Sequence, residues 1–126
     1  MPEITVNGIK LNYIKKGDGF PLILIHGLSD DLRLWNHLIP ELSRKYCTIT
    51  LDLRGHGSSS KPRDTSYSIG QFSRDIYSLL VELDIKKANF IGFSMGGAIA
   101  QELAVNYPDM VSSLVLYLVL VMLTVI

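Results

Sequence analysis

Hydrophobic positions change period several times along this chain, and each change marks an element. Over residues 3–16, "EITVNGIKLNYIKK", two β-branched runs flank Asn7-Gly8. That pair suits a type I′ turn, so an antiparallel hairpin is predicted. Gly17, Asp18 and Gly19 supply the next turn. Residues 21–25, "PLILI", are continuously apolar, as in a strand buried on both faces, and the run ends at His26-Gly27. The spacing then becomes helical: Leu32, Trp35, Leu38, Ile39 and Leu42 keep one apolar face. Asp30 and Asp31 open this helix and Arg44 and Lys45 close it, signs that suit its dipole.

"YCTITLDL" (46–53) reads as another strand, followed by "RGHGSS" and a polar loop with Pro62. A second helix opens at Ser68, which has capping-box spacing to Gln71; Ile69, Phe72, Ile76, Leu79, Leu80 and Leu83 form its stripe. "KANFIGF" is a strand, "MGGAIAQELAVNYP" a helix stopped by Pro108, and "VSSLVLYLV" starts a final strand. A hairpin followed by alternating strands and helices predicts an α/β fold: a mostly parallel sheet, helices on both faces, and an N-terminal antiparallel hairpin. Ligands of such sheets bind beyond the carboxyl ends of the strands. The loops at His26-Gly27-Leu28, at "RGHGS" and at Ser94 all leave those ends, so they are expected to cluster.

One of these loops carries candidate chemistry. Gly92-Phe93-Ser94-Met95-Gly96 has the form G-x-S-x-G and sits between a strand and a helix. A strand that turns at once into a helix strains its central residue and lifts the serine hydroxyl above the sheet. Gly92 and Gly96 leave room where strand and helix nearly touch. Ser94 is therefore the candidate nucleophile. The free N–H of Met95 at the helix start would donate to an oxyanion, and Leu28, in the loop after "PLILI", would supply a second backbone N–H. The alternative is a small-residue turn that only binds a ligand. His26 borders the oxyanion loop, and its expected role is to hold that loop. His37 is expected near the surface.

Composition narrows the classes. The 126 residues suffice for one domain with a core. Lys+Arg and Asp+Glu number 12 each, which offers no basic patch for nucleic acid. The lone Cys47 cannot build a disulfide framework or a zinc motif and reads as a small core residue. The N-terminus lacks a basic segment followed by an apolar one, so no signal peptide and a cytoplasmic location are expected. No cofactor or metal is called for.

"PLILIHG", the helix with Trp35, "LDLRGHGSSSKP", "YSIGQFSRDI" and "FIGFSMGGAIAQELAVNYPDMVSSLVL" together resemble the N-terminal half of an α/β-hydrolase fold protein. The resemblance is narrowest to small serine esterases and enol-lactonases. It implies a hydrolase acting on a small carboxylic ester or lactone, with Ser94 as nucleophile and Leu28 and Met95 as oxyanion donors. It also implies supporting roles for Gly27 and for His56, whose loop shapes the site wall in that family, and it argues against a dehalogenase that uses aspartate. In the family the serine is followed by an Asp or Glu and then a His. Here no histidine follows Ser94, and the later carboxylates are Glu102 and Asp109.

The resemblance fades near Tyr117. Leu114 to Ile126 are 13 residues without a charge, long for a strand of ~5–6 residues and short of the ~20 that a membrane helix needs. The expectation is a single, incomplete hydrolase domain over 1–126, truncated or frameshifted after the sixth strand, with a divergent apolar tail over 117–126. Its exposed last strand would favour aggregation or a complementing chain. A non-catalytic α/β module and a chain held at a membrane by its C-terminus are the other readings.

Overall fold

The computed structural model describes residues 2–63 and 67–117. Its elements follow the order read from the sequence: β1 (Glu3–Val6), β2 (Ile9–Lys16), β3 (Phe20–Ile25), a 3-10 turn (Leu32–Trp35), α1 (Ile39–Leu42), β4 (Tyr46–Leu51), α2 (Ile69–Glu82), β5 (Ala88–Phe93), α3 (Met95–Asn106) and β6 (Val111–Tyr117). Asn7 and Gly8 both have positive φ, 48° and 79°, as the predicted turn requires.

The six strands form one sheet in the order β1-β2-β4-β3-β5-β6. The pairs β1–β2 and β2–β4 are antiparallel, and the remaining neighbours are parallel. β3 therefore lies between β4 and β5, so the strand order reverses at β3. In open sheets of this kind such a reversal, where connections leave in opposite directions, is the place where ligands bind. In register, Ile25 lies opposite Gly92, so the chain ends that leave β3 and β5 are neighbours.

Helices cover both faces. α2 and α3 pack on the larger core, where Ile23, Ile25, Ile49, Leu51, Ile76, Leu79, Leu80, Phe90 and Ile99 are fully buried. Each such aliphatic or aromatic side chain contributes about 1.5–3 kcal/mol relative to exposure. The 3-10 turn and α1 cover the other face with Trp35 over Leu22 and Leu24. Cys47 is a buried member of the larger core, as expected.

Two elements differ from expectation. The helix expected from Leu32 onward is two short pieces. Pro40 has no N–H to donate and would clash with a carbonyl one turn back, so it is accommodated only in the first turn of α1. The linking bonds are short-range, Asn36 N–H to the Arg33 carbonyl and Leu38 N–H to that of Trp35. The apolar stripe still faces inward, since Leu34, Leu38, Ile39 and Leu42 pack with Trp35. β4 stops at Leu51 rather than running to Leu53. There the Leu53 N–H donates to a side chain, His26 Nε2, at 3.0 Å. Ser68 caps α2 by accepting from Gln71 N–H, but the Gln71 side chain turns to Asp75 instead of completing a capping box. The tail from residue 118 onward lies outside the described residues.

Candidate active site

Ser94 sits at the junction of β5 and α3 with φ 56° and ψ −118°, a left-handed backbone that a β-carbon disfavours. The junction is held on both sides. Ser94 N–H donates to the Tyr117 carbonyl at 3.0 Å, and the Ser94 carbonyl accepts from Gly97 N–H at 2.9 Å. No side chain could replace the flanking glycines. A Cβ on Gly92 would strike the Gly96 carbonyl, and one on Gly96 would strike the Ile25 carbonyl. β5, α3 and the end of β3 are thus in backbone contact, and this forces the serine outward.

The three loops cluster. A Cβ placed on Gly27 would lie 3.2 Å from the Phe93 carbonyl oxygen and 3.3 Å from Ser94 Cβ, so the loop after β3 runs against the serine turn. Leu28 follows with its side chain in solvent. Among the described residues, neither Leu28 N–H nor Met95 N–H donates a hydrogen bond. The Met95 N–H also starts α3, where the helix dipole adds positive potential.

His26 is completely buried and uses both ring nitrogens. Nε2 accepts from Leu53 N–H, which places the proton on Nδ1, and Nδ1 donates to the Gly27 carbonyl at 2.7 Å. Burial holds its pKa below the ordinary histidine value, aided by neighbouring His56 and opposed by the Gly27 bond and by Asp52 and Asp30. The ring pins the loop after β3 to the loop after β4. The His56 ring lies 5.0 Å from that of His26 and against Phe72, and its Nδ1 donates to the Arg54 carbonyl. His37 is exposed, as expected.

Several contributors escape sequence reading. Asp52, almost fully buried, accepts from Leu32 N–H at 2.9 Å, from Ser58 N–H at 2.8 Å and from Asn12 Nδ2 at 2.9 Å. It joins the loops on either side of the site to the hairpin. Arg54 donates to Asp75 at 2.7 and 2.9 Å in a buried ion pair, and that hydrogen bond raises the arginine pKa above its ordinary value. Asp75 also accepts from Asn7 and Gln71. The only available signal was a charged residue at the end of an apolar strand, "LDLR", and one inside the stripe of α2. Neither names its partner. Asp31 caps the 3-10 turn, and the Arg33 guanidinium beside it pulls its pKa down to about 2.

Glu102 accepts from Asn106 on α3, and Asp109 belongs to the turn between α3 and β6 at the far end of the sheet. Among the described residues, no three His, Cys, Asp or Glu side chains gather as a metal site would require, and no helix is long and apolar enough to cross a membrane.

A parallel sheet with its order reversing at β3, helices on both faces and a strained serine between strand and helix define a hydrolase-type α/β architecture. Residues 21–119 match the family described as alpha/beta hydrolase fold, and the chain belongs to that family. It is 36% identical over 112 residues to an uncharacterized protein of Mycobacterium tuberculosis, covering 89% of this chain and 33% of that one. It is 39% identical over 108 residues to 3-oxoadipate enol-lactonase 2 of Acinetobacter baylyi, covering 84% of this chain and 40% of that one. Among solved structures, Est816, an N-acyl homoserine lactone degrading enzyme, superposes with a TM-score of 0.90 at 31% identity over 94% of this chain and 45% of that one. The chain thus spans less than half the length of each of these proteins.

Proposed function

We propose that this chain carries the nucleophile half of a serine hydrolase site for carboxylic esters or lactones. The observation that carries this reading is the strained Ser94 flanked by two unengaged backbone donors, Leu28 N–H and Met95 N–H. Ser94 Oγ attacks the carbonyl carbon, and the oxygen that gains negative charge is stabilised by those two donors and by the start of α3. His26, Gly27, Gly92, Gly96 and His56 support this arrangement by holding the loops together. The lactone-directed names among the similar proteins favour the lactone part of this substrate class.

The proton of Ser94 needs an acceptor. His26 is unsuited, because both of its nitrogens are already bonded inside the protein. His56 bonds through Nδ1 alone, which leaves Nε2 an acceptor, but its ring packs on His26 and Phe72 and, among the described residues, no hydrogen bond links it to Ser94; His37 is an exposed residue on the turn before α1. The reading therefore assigns the base and its orienting acid to polypeptide outside these 126 residues. Serine-protease triads of unrelated fold that lose a member retain about 10³–10⁴-fold acceleration over water from the oxyanion hole and binding alone.

A fluorophosphonate probe tests the assignment. With the base assigned elsewhere, a single adduct that forms slowly on Ser94 over prolonged incubation, located by mass spectrometry and lost in Ser94→Ala, is the expected result. A folded sample that forms no adduct, or forms one elsewhere, supports a non-catalytic α/β module instead.

A further inference from the structure

We infer that Asp30 determines charge specificity at this site, favouring an ester or lactone that bears a cationic or hydrogen-bond-donating group beside the scissile carbonyl and disfavouring one that bears a carboxylate. The inference rests on the reading of Ser94 as nucleophile. Asp30 Oδ2 lies 3.4 Å from the point that a Gly27 Cβ would occupy, and Ser94 Cβ lies 3.3 Å from the same point. The carboxylate and the serine thus flank one glycine. A tight turn aims it there: Ser29 has φ 67°, and Asp30 N–H donates back to the Gly27 carbonyl at 3.1 Å.

Its neighbours set Asp30 apart. Asp31 is paired with Arg33, Asp52 is surrounded by donors, and Asp75 is paired with Arg54. Among the described residues, no hydrogen bond or ion pair engages the Asp30 side chain, which is only half-buried. The nearby His26 is neutral in its bonded form and supplies no countercharge. A substrate group reaching past Gly27 therefore meets an uncompensated negative charge on a half-buried side chain. There the attraction or repulsion is weakly screened. A hydroxyl, amide N–H or ammonium on the substrate would meet an acceptor.

Three fluorophosphonates of equal length, ending in trimethylammonium, alkyl or carboxylate groups, test this on the intact chain. Ser94 should be labelled about tenfold faster by the cationic probe than by the anionic one in physiological salt. Asp30→Asn, which keeps the side-chain shape, should bring the two rates together while its circular dichroism and melting remain those of the parent. Equal rates in the parent chain, or a preference that survives Asp30→Asn, overturns the inference and leaves the nucleophile assignment standing. No labelling of the folded chain by any of the three removes the nucleophile assignment and this inference with it.

Discussion

His26 links a single side chain to the stability of the whole site. Its ring accepts one backbone N–H and donates to one backbone carbonyl, which requires the neutral form. Burial lowers its folded pKa below 6.5, whereas the unfolded chain titrates near that value. Below pH 6.5 the unfolded state therefore binds more protons, and stability falls as pH falls; above it this contribution is fully present. Urea midpoints should drop between pH 7.5 and 5.5, and the drop should shrink in His26→Gln. A midpoint whose pH dependence is unchanged by that substitution would show that His26 is not the titrating group.

α2 is tied to the sheet by one carboxylate as well as by its apolar stripe. Asp75 holds Arg54 from the loop after β4, Asn7 from the hairpin turn and Gln71 from its own helix. Asp75→Asn would leave the buried guanidinium without its countercharge and should cost about 3–5 kcal/mol, seen as a lowered urea midpoint. The paired change Arg54→Met with Asp75→Leu should recover much of that loss, since both charges are then removed together. If the single change melted like the parent chain, the pair would not be a structural tie. The split of the first predicted helix belongs to this scale as well. Pro40 breaks the backbone ladder but leaves the apolar spacing intact, so the stripe packs as foreseen on a different secondary structure.

Across the molecule, the sheet is unevenly finished. β6 is its border among the described residues, and Val115, Leu116 and Tyr117 are 55%, 40% and 56% exposed. Beside them Leu34, Leu38, Ile91 and Phe93 line an apolar depression on the α1 face. Such an edge is a template for pairing with another strand. Light scattering should find concentration-dependent association of the chain, and Val115→Lys should reduce it at unchanged secondary structure. A monomer throughout the micromolar range would count against association through this edge.

Strand and helix periods, the Asn7-Gly8 turn, the Ser68 cap and the strand–Ser94–helix junction were all legible in the chain, because each depends on residues within a few positions of one another. The α/β class followed from the order of those elements. Tertiary structure alone decided the rest. The reversal of strand order at β3 brings Gly27 against Ser94, and the register of Ile25 with Gly92 sets their spacing. It also fixes the proton on His26 Nδ1, gathers three donors around Asp52, and leaves Asp30, beside Gly27, without a side-chain hydrogen bond or ion pair among the described residues. Periodicity reports which face of an element is buried. Which distant element meets that face depends on how the strands pair, and no local pattern records it.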